Sequence, residues 1–155
     1  MKFFRILFGV VLGYLSIAIS LRIAMTAAAW KFGADRVFVA ESWQLSDIWN
    51  ALSCVLSLVL AFLGGVVAAW WGGRRLAGTL LAIVIVVLGT LTLFVAITRP
   101  AVEAPPRPVV MTLSDWEKTG QYSIQPMWML LVTPVLSVIG VVAGTRYIAR
   151  RQANK

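Results

Sequence analysis

Long apolar runs separated by short polar stretches dominate the chain. Trp49–Trp71 and Ala77–Thr98 contain no charged residue, and the basic turn Gly72-Gly73-Arg74-Arg75 lies between them. A helix rises about 1.5 Å per residue, so each run matches a hydrocarbon core of about 30 Å. Two spans joined by so short a turn must run antiparallel. Ile6–Ala29 is interrupted only by Arg22 and predicts a further span ahead of this hairpin. Met127–Tyr147 predicts another after it.

The polar stretches differ in kind. Residues Trp30–Ile48 carry Lys31, Asp35, Arg36, Glu41 and Asp47. Arg99-Pro100 stops the third span, and Pro105, Pro106 and Pro108 follow, which favours an extended, polyproline-like path. Within that stretch, Met111–Tyr122 suits one short helical turn capped by Ser114. The pattern as a whole predicts an all-α membrane protein with one domain over residues 1–155. Four transmembrane helices would form an up-down bundle, with spans at about 6–29, 49–71, 77–98 and 127–147. Outer segments would cover 30–48 and 99–126. The basic start MKFFR, the apolar run and Ala27-Ala28-Ala29 together also resemble a signal peptide with a cleavage site. The run of about 24 residues is long for that role, and it reads as the first span.

Composition agrees with the pattern. Hydrophobic residues make up 60% and charged residues 13%, where a soluble domain is nearer one-quarter charged. The net charge of +8 could suggest nucleic acid, but its distribution points elsewhere. Lys2, Arg5, Arg74, Arg75, Arg146, Arg150, Arg151 and Lys155 fall on one predicted side, with no acid. Lys31, Arg36, Arg99, Arg107 and Lys118 fall on the other, with all six acids. The all-basic side reads as cytoplasmic, with both termini there. The excess charge then faces anionic headgroups, and no nucleic-acid partner is expected. Trp30, Trp49, Trp70, Trp71 and Trp128 stand at span ends and read as interfacial anchors.

Lipid tails remove the hydrophobic drive between helices, so small residues that admit close backbone approach become informative. Gly9, Gly13, Ser16, Ser20 and Ala24 share one face of the first span. Ser53, Ser57, Ala61, Gly64/Gly65 and Ala68 share one face of the second. Ala82, Gly89 and Ala96 recur at seven residues in the third, and Ser137, Gly140 and Gly144 mark the fourth. All are expected to face the bundle interior. Pro134 removes one backbone hydrogen bond inside the fourth span, frees the Leu130 carbonyl and predicts a kink. Gly65-Val-Val-Ala-Ala and Gly140-Val-Val-Ala-Gly echo one another, as do Leu45-Ser-Asp and Leu113-Ser-Asp. Hairpin duplication or chance in a Val/Ala/Gly-rich chain would each give this.

Candidate chemistry is sparse. Histidine is absent, which removes the usual haem ligand and proton shuttle. Cys54 is the single cysteine, so no internal disulfide or CxxC site is possible. Arg22 is the only charge inside a span. It either snorkels to the outer headgroups or faces inward, with Ser20 beside it, to pair with Asp47, Glu41 or an anionic ligand. The acids Glu41, Asp47, Asp115 and Glu117 read as solvated loop charges. No nucleophile–base pair, P-loop or metal motif is present, and neither a cofactor nor an enzymatic activity is expected.

Gly64-Gly65-x-x-Ala68, the charge-rich turn, and Gln125-Pro126-x-Trp128…Pro134…Gly140-x-x-x-Gly144 together resemble small bacterial four-span membrane proteins with no assigned activity. The likeness covers roughly residues 49–146 and implies a bacterial inner membrane and four-span topology, with no chemistry. The leading functional expectation is a non-catalytic accessory or assembly subunit that packs against a larger membrane partner or self-associates. A small-solute transporter or channel is the alternative. It would need a polar cavity lined by Ser16, Ser20, Arg22, Ser53 and Ser57. A lipid- or quinone-binding membrane enzyme is a second alternative, and it would fold an outer acid down beside Arg22. A lateral face rich in small residues and unoccupied within the monomer would favour the first.

Overall fold

The computed structural model describes residues 2–73, 75–98, 105–108, 112, 119 and 122–153. It is all-helical, and four of its helices are long and apolar enough to cross a membrane. They are α1 (Lys2–Phe32), α3 (Asp47–Gly72), α4 (Arg75–Thr98) and α5 (Met127–Ala153). A short helix, α2 (Ala34–Val37), follows α1. Each long helix contains the apolar run expected for it and extends one to several residues beyond. The excess is polar or interfacial sequence that continues the backbone ladder.

The helix ends have local causes. Gly33 ends α1 with a φ of 73°, open to glycine at little cost, and its N–H still bonds Ala29 O at 2.9 Å. Ser46 caps α3, its hydroxyl accepting from Trp49 N at 3.2 Å while donating to Arg36 O. Asp47 adds a negative charge to the positive end of that helix dipole. Gly73 closes α3 in the left-handed conformation, with its N–H on Ala69 O at 3.0 Å.

Helix α3 is the hub. Its neighbours approach so closely that several glycines leave no room for a Cβ. A methyl on Gly9 would lie 2.6 Å from Gly72 N, and one on Gly13 would lie 2.8 Å from Ala68 Cβ and Gly64 O. Farther along the same pair, Ser53 Oγ reaches Met25 Sδ at 3.8 Å. Contacts between α1 and α3 therefore run in opposite order along the two sequences. On another side of α3, a methyl on Gly140 would lie 2.5 Å from Leu58 O, and one on Gly144 would collide with Phe62 O. Gly65 rests on the Val141 backbone. Here the order of contacts is the same along α3 and α5. Helix α4 touches α5 at Gly78–Thr145 and again at Gly89–Pro134. Val10, Ala61, Ala68, Ala77, Leu81, Ala82 and Val141 form the core of this region.

Most of the small residues marked on the spans are enclosed to some degree. Gly9, Gly13, Ser57, Ala61, Gly65, Gly140 and Gly144 are buried, and Ser16 and Gly89 are half-buried. Ala96, expected to face the interior, is exposed. Helix α4 buries Ala77, Gly78, Leu81 and Ala82 near its start, while Leu91, Phe94, Val95 and Ile97 near its end are all exposed. The physical reason is where α5 begins: in the antiparallel register set by Gly78–Thr145 and Gly89–Pro134, Ala96 falls level with Met127, the first residue of α5, so α4 runs out of its neighbour there. Helix α5 itself runs unbroken through Pro134.

The polar stretch after α1 also differs from expectation. Val37, Phe38, Trp43, Leu45 and Trp49 are buried together with Ala29 in a second apolar core. Val39 N bonds Gln44 O at 2.9 Å around a tight turn in which Glu41 adopts a φ of 57°. Trp49, expected as an interfacial anchor, is 8% exposed and lies under this cap, whereas Trp30, Trp70, Trp71 and Trp128 are exposed as such anchors should be. The proposed turn at Met111–Tyr122 lies outside the described residues, except that Thr119 and Tyr122 are helical.

Gly140→Leu and Gly144→Leu are expected to separate α5 from α3 and destabilise the fold by about 1–3 kcal/mol each, or more. Ala143→Leu, on the exposed face of the same helix, is the control. Thermal denaturation in mild detergent should show lowered midpoints for the two glycine variants only. Equal midpoints for all three would contradict the packing described.

Candidate functional site

Two features stand apart from the close-packed region: a cleft beside the bare end of α4, and the cap over α1 and α3. Each arises from the sequence nearby.

The cleft has two lobes on either side of the Gly89–Pro134 contact. One, of about 330 Å³, is walled by Val86, Leu93, Leu131, Val135 and Ile139 and is almost wholly apolar. The other, of about 300 Å³, reaches inward among α1, α3, α4 and α5 and carries the polar groups: Ser53, Ser57, Thr92, Gln125 and Thr133, beside Met129. Two of those four hydroxyls are already engaged. Ser53 Oγ donates to Trp49 O at 2.8 Å, and Thr92 Oγ1 donates to Leu88 O at 2.9 Å. Hydroxyls that bond the carbonyl four residues back satisfy themselves within an apolar slab and offer a ligand little. The lobe is thus a space with weakly polar walls. The small face of α4 borders it at Gly89 and Thr92 and runs on past it to Ala96 at helical spacing, with Thr92 and Ala96 exposed.

In the cap, Phe38 and Trp43 pack edge to face with centroids 5.7 Å apart, and Trp43 lies 5.5 Å from the Tyr122 ring. Trp43 Nε1 donates to Pro105 O at 2.7 Å, which meets the need of a buried indole for an acceptor. The stretch before α5 is stitched to the same element. Ile124 N bonds Trp43 O at 3.0 Å, and Leu45 N bonds Ile124 O at 3.2 Å. Arg107 is drawn into this core. Its side chain is 5% exposed, it lies 5.9 Å from the Phe38 centroid, and its Nη2 contacts Asp35 Oδ1 at 3.2 Å. Asp35 is 85% exposed, so water screens the pair and its contribution falls in the range of about 0–1 kcal/mol. Arg107 Nε and Nη1 and Asn50 Oδ1 are buried without hydrogen-bond partners among the described residues. These orphaned atoms belong to the cap and to the top of α3 beneath it.

The sequence-predicted polar site does not assemble. Arg22 and Asp47 are both exposed, Ser20 is half-buried, and Arg107–Asp35 is the one ion pair among the described residues. Arg22 pairs with neither Asp47 nor Glu41 among the described residues. Ser53 and Ser57 line the cleft as the transport alternative required, but Ser16, Ser20 and Arg22 do not. Asp115 and Glu117 lie outside the described residues, and Cys54 is a half-buried free thiol. Sequence reasoning missed Arg107 and the cap aromatics. The available signal was the apolar content of Val37-Phe38-Val39 and Trp43 amid charges, which a solvated loop does not need.

Comparison with known protein families, curated proteins and solved structures finds no match for this chain.

Trp43→Ala is expected to cost about 3–5 kcal/mol of cap stability, because it removes the central ring and its hydrogen bond. Helix content by circular dichroism should stay unchanged while residues 33–46 become sensitive to protease. Retained protease resistance would show that Trp43 does not hold the cap.

Proposed function

We propose that this chain is a non-catalytic, four-span protein of a bacterial inner membrane that packs against a larger membrane partner, or against a second copy, through the cleft beside α4. The spans alternate in direction, and both termini lie in the cytoplasm. The order of helix contacts supports the alternation. The excess of lysine and arginine, with no acid among them, in the sequence segments at the end that holds Arg5, Arg75 and Arg151 supports the orientation.

One observation carries the packing role. The small-residue face of α4 does not end where its intrachain contacts end. Below Gly89 the small positions Ala77, Gly78 and Ala82 are buried by neighbours, as interhelical packing in lipid requires. Above it Thr92 and Ala96 continue the face with nothing against them among the described residues. The exposed faces elsewhere carry mostly large side chains such as Leu7, Ile19, Val55, Val59 and Leu63, which suit lipid tails, with single small residues such as Ala18 and Ala143 among them. A helix from a partner, laid along Thr92 and Ala96 beyond the Gly89–Pro134 contact, would complete the stripe.

Site-directed photocrosslinking tests this. A photoreactive residue at Thr92 or Ala96 should give one adduct of defined mass above the 17.0 kDa monomer, and the same residue at Ile19 should give none. An adduct at twice the monomer mass identifies self-association, and any other defined mass identifies a separate subunit. Lipid adducts alone at all three positions would overturn the proposal. Orientation is tested separately with a phosphatase active only outside the cytoplasm. Fusion after Gly73 or at the C-terminus should be inactive, and insertion after Pro105 should be active.

A further inference from the structure

At the opposite end of the molecule from the cap, two grooves open side by side and share the ring of Trp70 as a wall. One, of about 480 Å³, lies among Arg5, Phe8, Trp70 and Trp71. The other, of about 580 Å³, lies between α3 and α5 among Val66, Trp70, Tyr147 and Arg151. Each groove has an aromatic-lined apolar body and a single arginine.

Neither arginine has an acidic partner among the described residues. Arg5 lies across Gly73, and its Nε donates to Trp71 O at 3.1 Å, which holds it at the negative end of the α3 dipole. Its two Nη groups bond nothing among the described residues. Arg151 lies over the Tyr147 ring at 5.2 Å, one turn away on α5. No acid competes for either: the six carboxylates of the chain fall in residues 35–47 and 103–117, at the other predicted end. Trp70 is 65% exposed, a large indole standing free between two cations.

We propose that the grooves on either side of Trp70 are binding sites for anionic phospholipid, with the phosphate on Arg5 or Arg151 and an acyl chain laid in the groove below. Charge selects the occupant. A zwitterionic lipid brings a cation toward a rim that already carries Arg5, Arg75, Arg146, Arg150 and Arg151. An anionic headgroup brings none, and basic pockets between spans at this level suit it. The fixed positions of the guanidiniums matter as well. Arg5 is tied to the α3 C-terminus, and Arg151 is stacked on Tyr147, so little side-chain freedom is lost when a phosphate binds.

The test uses the full chain reconstituted in phosphatidylcholine vesicles, with brominated phosphatidylglycerol or brominated phosphatidylcholine at equal mole fraction. Bromine quenches nearby indoles, and Trp70→Phe isolates the Trp70 signal. Trp70 should be quenched preferentially by the anionic lipid, with a relative association constant about fivefold higher per arginine engaged. Arg5→Gln with Arg151→Gln should abolish the preference, and raised salt should abolish it in the unmodified chain. Arg146→Gln with Arg150→Gln should retain it. Equal quenching by the two lipids would overturn the proposal. So would a preference that survives loss of Arg5 and Arg151, or one lost equally when Arg146 and Arg150 are changed, which would mark a diffuse rim effect.

Discussion

Backbone-to-backbone approach on helix α3 is the constraint on which the rest depends. In lipid there is no water to expel between helices, so cohesion comes from dispersion across contacts that are close and numerous. Helix α3 meets this need on two sides at once. Gly64, Ala68 and Gly72 receive α1, while Ala61 and Gly65 receive α5. Because α5 brings Gly140 and Gly144 to that seam, both backbones are bare where they meet. Thr145 then adds an interhelical contact, its hydroxyl 3.5 Å from Gly65 O.

That constraint is satisfied unevenly along the molecule, and the unevenness generates its open surfaces. Where Gly72, Ala77 and Gly78 cluster, α4 is drawn into the same core. Thirteen residues past Arg75's neighbour Leu76 the chain reaches Gly89, and there the Pro134 ring fills the seam. Beyond it α4 presents leucine, phenylalanine and valine outward and gains no partner among the described residues. The cap does not cover this gap. It is built from residues that precede α3 and follow the proline-rich stretch, and its core rests on Ala29, Met25 and Trp49. One end of the molecule is therefore tightly closed, with basic grooves outside it, and the other is half covered.

The polar groups follow the same division. Hydroxyls in the apolar helices, such as Ser16, Thr90 and Ser137, bond carbonyls four residues back and so need nothing from elsewhere. The atoms left without partners, on Asn50 and Arg107, occur where irregular backbone from two outer segments meets the top of α3. A buried guanidinium with unused donors is costly, and the Phe38 ring and a solvated Asp35 offset only part of that cost. The cap owes its order chiefly to its aromatic side chains.

Four membrane-length helices, their approximate limits and most of their contact faces were legible in the chain alone. Span length depends on an uninterrupted apolar run, and a packing face depends on small residues at helical spacing; both are properties of neighbours in sequence. Gly9, Gly13, Gly140 and Gly144 could be placed for that reason. The cap, the burial of Trp49 and Arg107, and the exposure of Ala96 and Arg22 were decided by the tertiary structure. Each depends on which segment arrives from far along the chain: Pro105, Tyr122 and Ile124 reach Trp43, and Pro134 reaches Gly89 while nothing among the described residues reaches Ala96. A seven-residue repeat states which positions share a face, but whether another helix stands opposite that face is a fact of three dimensions.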